Sequence, residues 1–183
     1  SSLGGGSGLW RYRDNQALEI WKGMEAPLFG PASVSSDGKR VAIAVRRQGK
    51  IQLEVTNDDG TGAVPMSETL DVRGSGSWSP DGRWIAIGGT DAKGAGLLKI
   101  PAEGGAPVRL TDKAGFNPVW SPDGNLIVYS SVAIGKHQTL RAVRPDGNSV
   151  PLPEIRVRMD EERYRFLPNG KGLTQPCLLP STS

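Results

Sequence analysis

Short runs of apolar residues recur along the chain, and each run follows closely on a polar turn. Residues 41–45, 84–87 and 126–129 contain valine, isoleucine, leucine, alanine, tryptophan and tyrosine, with no charged side chain among them. Runs of four or five residues are too short for a buried helix, and β-branched and aromatic residues favour extended backbone. The pattern therefore predicts buried strands separated by turns.

The turn before each run has the sequence Ser-x-Asp-Gly. Its acidic residue and glycine are Asp37 and Gly38, Asp81 and Gly82, and Asp123 and Gly124, with a weaker copy at Asn169 and Gly170. Successive copies are 44, 42 and 46 residues apart. Serine, proline and glycine suit the first, second and fourth positions of a type I turn, and aspartate accepts hydrogen bonds from nearby backbone. We interpret the repeated aspartates as turn residues rather than as paired catalytic carboxylates.

A second short motif recurs at a nearly constant distance from the first. An acidic residue followed by glycine occurs at 59–60, 103–104 and 146–147, and its glycine lies 22, 22 and 23 residues after the glycine of the first motif. In the second copy, the pattern predicts four strands at about 76–78, 84–88, 97–100 and 107–111. A repeat of roughly 40–45 residues with four strands is typical of a β-propeller blade.

Residues 78–87 and 120–129 each read Trp-Ser-Pro-Asp-Gly followed by an apolar strand, and they resemble the TolB-type, WD-like β-propeller repeat. The resemblance extends over residues 9–174. It implies an all-β propeller of four-stranded antiparallel blades. Propellers of this family occur in periplasmic TolB, as gating domains of prolyl-oligopeptidase-like peptidases, and as sensor domains of bacterial serine/threonine kinases and transcription regulators. The resemblance therefore implies a bacterial protein in the periplasm or another extracytoplasmic location.

The phase of the repeats predicts three full blades at about 31–68, 75–111 and 116–155. Two complementary half blades, 9–22 and 161–174, flank them. Residues 1–8 are rich in glycine and serine and are expected to form a flexible linker, whereas 175–183 have no assigned structure. Three arrangements would remove the open ends: a four-bladed ring in one chain, an eight-bladed homodimer through the split blades, or membership of a longer propeller.

The composition and the missing motifs limit the kinds of functional site that the chain can form. A single cysteine, Cys177, and a single histidine, His137, exclude an intrachain disulfide and metal sites built from several such residues. The sequence contains no Gly-x-Ser-x-Gly elbow and no phosphate-binding glycine motif. No apolar run approaches the ~18 residues of a membrane span. We therefore predict a protein that is not an enzyme, binds no cofactor or metal, and has no membrane span.

The place of each of the five tryptophans in the repeat predicts its role. Trp78 and Trp120 hold equivalent positions before two of the turns, and we expect them to pack between blades. Trp84 follows a turn and is also expected in the core. Trp10 and Trp21 are expected to pack within the first half blade.

Basic side chains concentrate in the loops that a propeller places on one rim. The candidate docking residues are Arg46, Arg47, Lys50, Arg73, Lys93, Lys136, His137, Arg156 and Arg158. We predict that this rim binds a protein or peptide with an acidic surface. Nucleic acid is disfavoured because acidic residues are interleaved and the net charge is only +3. Two alternatives stay open: a gating or sensor propeller of a larger peptidase or kinase, and a carbohydrate or small-ligand site at the central channel.

Overall fold

Short antiparallel strands make up all the regular secondary structure in the computed structural model, which describes residues 8–22, 26–131, 137–158, 164–167, 170 and 172–174. No helix occurs in these residues, so the predicted all-β class is confirmed. The tail at 175–183, with Cys177, lies outside the described residues, as does most of the predicted linker.

The strands form two hairpins and three larger sheets. In the first hairpin, β1 (Leu9–Arg13) pairs with β2 (Gln16–Trp21). The first sheet contains β3 (Ser33–Val34), β4 (Arg40–Arg47), β5 (Lys50–Asn57) and β6 (Val64–Pro65). The second contains β7 (Asp71–Trp78), β8 (Trp84–Asp91), β9 (Gly94–Pro101) and β10 (Val108–Thr111). The third contains β11 (Gly115–Trp120), β12 (Ile127–Ser131), β13 (His137–Val143), β14 (Ser149–Val150) and β15 (Arg156–Arg158). The last hairpin joins β16 (Arg165–Phe166) to β17 (Leu173–Thr174).

The first four strands of each sheet follow chain order and are called a, b, c and d. Strand a of the second sheet, β7, contacts the a strands of both neighbouring sheets, so the a strands are innermost. Turns from a to b share a rim with turns from c to d, and the N–H of Ala102 donates to the Arg83 carbonyl across that rim (2.8 Å). We call it the a–b rim. The opposite rim, which carries the β4–β5 and β8–β9 turns, is the b–c rim.

The hydrophobic core lies between neighbouring sheets. Leu53 of β5, Ile85 of β8 and Ile100 of β9 are almost fully buried in one cluster with Trp78. Trp120 completes the corresponding cluster between the second and third sheets. Both tryptophans are only 7% exposed, which confirms their predicted packing role. Since each sheet is apolar on the faces that meet its neighbours, the sheets stabilise one another as stacked repeats do.

Of the other tryptophans, Trp21 packs against the core as predicted, Trp84 does so only in part, and the prediction for Trp10 was wrong. Trp10 is 60% exposed, because the described strands cover the β1–β2 hairpin on one side only. Trp84 is half-buried rather than a core residue, and the Lys99 ammonium lies 4.2 Å from its ring centroid. Trp21 is partly buried, and its indole N–H donates to the Ala26 carbonyl (3.1 Å).

The innermost strands are longer and less regular than predicted. Strand β7 begins at Asp71, five residues before the predicted start, and its register shifts between Arg73 and Ser77. Gly74 lies within this bulge at φ 75°, and Asn117 holds the corresponding place in β11 at φ 48°. The third sheet also gains a strand that was not predicted, since β15 pairs with the start of β13. A bulge breaks the alternation of inward and outward side chains, which is why the pattern missed the start of β7.

The two hairpins pack on opposite ends of the stack. Ile20 of β2 is buried against Val41 and Ile43 of the first sheet, and Arg11 pairs with Asp58 (2.6 Å). At the other end, Tyr164 is buried against the third sheet, and its hydroxyl donates to the Asn117 carbonyl (2.7 Å). Among the described strands, no pairing joins the first hairpin to the last, so the ring is not closed by these strands.

We expect Gly88→Ala to destabilise the fold by about 2–3 kcal/mol, because it overpacks the contact between the second and third sheets. A Cβ on Gly88 would lie 2.1 Å from the carbonyl oxygen of Gly115, which is backbone and has little freedom to move. Urea unfolding followed by tryptophan fluorescence measures the loss.

Gly94→Ala is the matched control, since a Cβ there meets nothing within 4 Å and the cost is only the strain of its positive φ. That strain is worth about 1 kcal/mol. Equal losses in the two variants would contradict the close approach of the two sheets.

Candidate functional site

Each a–b turn is built around a buried serine. In the second sheet, the Ser79 hydroxyl donates to Asp81 Oδ1 (2.5 Å) and accepts from the N–H of Trp84 (2.9 Å). Asp81 Oδ1 also accepts from the N–H of Arg83 (3.1 Å), and the N–H of Gly82 donates to the Ser79 carbonyl (2.9 Å). Ser79 is only 3% exposed, so water competes little for its hydroxyl.

The same bonds recur in the first and third sheets. The Ser35 hydroxyl donates to Asp37 (2.6 Å) and accepts from the Arg40 N–H (3.0 Å). The Ser121 hydroxyl donates to Asp123 (2.5 Å) and accepts from the Leu126 N–H (2.9 Å). Gly38 and Gly124 donate to the Ser35 and Ser121 carbonyls at 2.9 Å. The residue five positions after each serine is therefore placed in the same way in every sheet.

Hydrogen bonding keeps the turn carboxyl groups ionised. The bond from Ser79, helped by the Arg83 side chain and backbone, lowers the pKa of Asp81 to about 2. Bonds from Ser35 and Ser121 are the first causes of the lowered pKa values of Asp37 and Asp123. These groups stabilise the turns as acceptors, and a lowered pKa suits neither a general acid nor a base at neutral pH.

Neighbouring turns stack on each other around the a–b rim. The Ser36 hydroxyl of the first turn donates to the Pro80 carbonyl of the second (2.8 Å). A Cβ on Gly124 would lie 3.8 Å from the Pro80 ring, and one on Gly170 would lie 3.6 Å from the Pro122 ring. The repeated proline and glycine thus meet between sheets as well as forming each turn.

Arg40 fills the junction of the first and second sheets on this rim. Its guanidinium carbon lies 5.0 Å from the Trp78 ring centroid. The guanidinium donates to the carbonyls of Gly82 (3.0 Å) and Ala102 (3.3 Å) and to the Glu103 carboxylate (2.6 Å). The cation therefore has an aromatic face and three oxygen acceptors from the neighbouring sheet.

The next junction, between the second and third sheets, has an open cleft of about 280 Å³ instead. It is lined by Ser79, Pro80, Asp81, Trp84, Lys99, Trp120, Asp123, Gly124 and Pro145. Trp84 takes the place of Arg40, since each lies five residues after its turn serine.

The b–c rim carries the predicted basic residues. Arg46 and Lys50 flank the β4–β5 turn and Lys93 lies in the β8–β9 turn, while Arg73 is the third residue of β7 and pairs with Gly88 of β8. All four side chains are exposed. The N–H of Ile51 donates to Asp71 Oδ1 (2.9 Å), which ties the β4–β5 hairpin to the start of β7.

Several basic residues of this rim are already paired. Arg47 forms an ion pair with Glu54, and Arg156 donates to the Glu154 carboxylate at 2.6 and 2.8 Å. His137 is exposed at the start of β13 and is paired in register with Arg158 of β15. Lys136 lies outside the described residues. The structure thus places the described candidates along one rim, but two of the arginines are held by glutamates.

Comparison with known proteins identifies the architecture. No protein-family model matches the chain. A TolB-type protein from Agrobacterium tumefaciens superimposes with a TM-score of 0.66 at 20% identity, over 80% of this chain and 56% of that one. TolB from Acinetobacter baumannii gives 0.66 at 18% identity, over 87% and 39%. The chain has a TolB-like propeller fold. The predicted resemblance is therefore confirmed at the level of the fold.

Curated sequences match this TolB-like propeller over part of their length. The uncharacterized protein Atu1656 of Agrobacterium fabrum is 32% identical over 120 residues, which are 64% of this chain and 40% of that protein. The uncharacterized peptidase YuxL of Bacillus subtilis is 29% identical over 117 residues, or 62% and 17%. The chain thus spans less than half the length of each relative.

Sequence reasoning missed the residues that join the sheets of this TolB-like propeller. Arg40 was not singled out, although its guanidinium spans two sheets. Arg109, which is 13% exposed and pairs with Asp91, was not singled out at all. The repeat register carried a signal for Arg40, because aligning the turn serines sets it opposite Trp84 and Leu126, a change of chemistry at one structural position.

No metal-binding group of three acidic, histidine or cysteine side chains occurs in the described part of this propeller. Those residues also include no helix with the length and hydrophobicity that crossing a bilayer requires.

We expect Asp81→Asn to lower stability by about 1 kcal/mol at pH 7, the usual worth of such a hydrogen-bonded turn residue. Because the pKa of Asp81 is lowered from 3.8 to about 2, its stabilising effect is complete above about pH 4 and is lost as pH falls towards 2. Urea unfolding at pH 7, 4 and 3 should show the difference between variant and wild type shrinking with acidity.

Glu68→Gln serves as the comparison, since Glu68 is exposed on the d–a connection and forms no ion pair with any described residue. A stability difference for Asp81→Asn that did not change with pH would contradict the role of its charge.

Proposed function

We propose that this chain is part of a non-enzymatic propeller that binds a protein or peptide through its b–c rim. The observation that carries the proposal is the set of exposed cations Arg46, Lys50, Arg73 and Lys93, which come from two successive sheets at one rim. None of the four forms an ion pair with a described carboxylate. Their charge is therefore open to a partner.

An aromatic ring accompanies these cations. The Arg46 guanidinium carbon lies 5.6 Å from the ring centroid of Phe29, which is 41% exposed. A cation beside an exposed aromatic ring combines attraction for carboxylates with apolar contact area, a pairing enriched at protein interfaces. This favours an acidic partner that also carries apolar side chains.

Arg47 and Arg156 are less central to the proposed docking surface than the four cations named above, because each is ion-paired with a glutamate. Since Glu54 is buried on β5, its pairing with Arg47 stabilises the hairpin and leaves little of that charge for docking. Arg156 and Glu154 are both largely exposed, and a partner's carboxylate would compete with Glu154 at little cost. We therefore place the centre of the docking surface on the β4–β5 and β8–β9 turns.

The proposal includes an extracytoplasmic bacterial location, which the TolB resemblance implies. It includes no nucleic-acid ligand, because acidic residues interrupt the basic rim. The homodimer through split blades and the ligand site at the central channel stay predictions. A propeller of this kind presents loops on a rigid frame, and its specificity comes from the loops.

A second candidate is suggested by the match to the peptidase YuxL. In that case the chain would be the propeller of a larger peptidase, and catalysis would belong to a domain beyond these residues. Reading the gene outward tests this: a Gly-x-Ser-x-Gly motif in the same reading frame supports it, and stop codons directly beside the propeller contradict it.

We expect the triple variant Arg46→Glu, Lys50→Glu, Lys93→Glu to weaken binding of a fluorescent octaglutamate peptide at least tenfold at 20 mM salt, measured by anisotropy. The reason is that three convergent cations become repulsive, and the effect should shrink at 150 mM salt because exposed charges are screened.

Lys39→Glu, which reverses an exposed charge on the a–b rim, is the control and should bind the peptide like the wild type. If both variants bind octaglutamate with wild-type affinity at low salt, the b–c rim is not the docking surface.

A further inference from the structure

The two sheet junctions on the a–b rim are built on the same plan. Trp78 and Trp120 each precede a turn serine, Gly82 and Gly124 close those turns, and Ala102 and Pro145 begin the c–d turns that face them. At the first junction, these three positions supply the ring and the two carbonyls that hold the Arg40 guanidinium. At the second junction, all three equivalents line the open cleft.

No side chain of the described residues takes the place of the Arg40 guanidinium at the second junction. Trp84 lies at the Arg40 position and donates nothing to the carbonyls of Gly124 and Pro145. No described residue donates to these two oxygens. The Nε1 of Trp78 donates to the Ser33 carbonyl (3.1 Å), whereas the Nε1 of Trp120 has no acceptor within the described residues, although Trp120 is 93% buried. The two free carbonyls are acceptors for a donor such as a guanidinium, whereas the Trp120 N–H is itself a donor and gives no support for an arginine, which has no acceptor.

The charges around the cleft favour a cation. Asp81 and Asp123 line it, and Asp146 holds the position that Glu103 has beside Arg40. Asp81 is already ion-paired with Arg83 (2.7 Å), so the uncompensated charge comes from Asp123 and Asp146, which form no ion pair with a described residue and accept bonds from neutral groups of their own turns. Lys99 also lines the cleft, and its ammonium, 4.2 Å from the Trp84 ring centroid, is a cation that would compete with the ligand there.

We propose that this cleft binds an arginine side chain of a partner protein or peptide. The guanidinium would take the place that Arg40 occupies one junction away, against the tryptophan rings and in reach of the Gly124 and Pro145 carbonyls. A planar group with five donors matches this set of ring and carbonyls better than a lysine ammonium does. At about 280 Å³, the cleft suits one side chain rather than a larger molecule.

This site goes beyond the proposed function, because it lies on the opposite rim and takes the opposite charge. The b–c rim variants described above should leave it unchanged. Loss of one site therefore does not test the other.

The direct test is a titration of the 183-residue chain with N-acetyl-arginine amide, followed through the indole N–H signals of Trp84 and Trp120 in ¹H–¹⁵N spectra. Both signals should shift with a dissociation constant on the order of 1–10 mM, typical of a single weakly held side chain. The citrulline analogue has the same shape without the charge and should bind at least tenfold more weakly. Equal shifts from the two compounds, or tighter binding of the lysine analogue, would overturn the proposal.

Trp84→Arg should close the site from within. The Ser79 hydroxyl would place the new side chain as Ser35 places Arg40, so probe binding should fall at least tenfold. Leu126→Arg, which adds the same side chain at the same turn position of the next sheet and outside the cleft, is the matched control and should keep affinity within about threefold. If the two variants lose binding equally, the cleft is not an unfilled copy of the Arg40 site.

Two further variants test the same idea at positions that leave the core intact. Lys99→Ala removes the competing cation and should strengthen probe binding about threefold. Arg40→Ala should open a second cleft, so that the probe now shifts the Trp78 indole signal, which it does not shift in the wild type. Weaker binding in the first variant, or an unmoved Trp78 signal in the second, counts against the proposal.

Discussion

The hydroxyl of a buried serine connects the local and the long-range order of this molecule. In each a–b turn it donates to an aspartate and accepts from the N–H five residues later, so it closes the turn and starts strand b at once. Because the serines are 3–5% exposed, these bonds are shielded from water, and a replacement without a hydroxyl would leave buried polar groups unsatisfied. The stacking of turns between sheets depends on this geometry, since it sets each proline against the next glycine.

The a–b turns have the same geometry in all three sheets, so a change of residue at one turn position is informative. The residue five places after the serine is Arg40, Trp84 and Leu126 in the three sheets. The side chains of Arg40 and Trp84 lie at the junctions with the next sheet. Arginine at this place spans two sheets, whereas tryptophan leaves a cleft. In a repeat protein, the residues that recur explain the architecture. A different residue at an equivalent position indicates a sheet junction whose contacts differ from those of the other junctions.

The sequence predicted the strands and turns well because both are local. The turn chemistry needs four adjacent residues, and a buried strand needs only a run of apolar ones, so the 42–46-residue period could be found without knowing any long-range contact. The bulge at Gly74 and the extra strand β15 were missed, since neither follows an alternating pattern. The number of blades in a closed ring depends on how β1–β2 and β16–β17 are completed, which no local pattern contains.

The candidate site could be predicted only as a distribution of charge. Placing Arg46, Lys50 and Lys93 on one rim needed the repeat phase alone, and the structure puts them there. That Arg47 is held by Glu54 required the register of the β4–β5 hairpin, and the role of Arg40 required contacts with residues 38 to 63 positions away. The ion-pair partner of a charged side chain can lie far away in the sequence. Composition alone therefore overestimates the charge that remains available for binding.

The difference in charge between the two rims follows from the hydrogen bonding of their turns. Hydrogen bonds lower the pKa values of Asp37, Asp81 and Asp123, so their charges persist well below neutral pH. The negative charge of the a–b rim is thus a by-product of how its turns are held together. The first turn of the b–c rim has no such requirement, because Gln48 and Gly49 form it through positive φ angles of 49° and 82°. The β8–β9 turn does use a carboxylate, since Asp91 Oδ1 accepts from the Lys93 N–H (2.8 Å), but Arg109 pairs with Asp91 and offsets its charge. The flanking positions of the b–c rim are therefore free to carry cations, and one fold presents surfaces of opposite charge at its two rims.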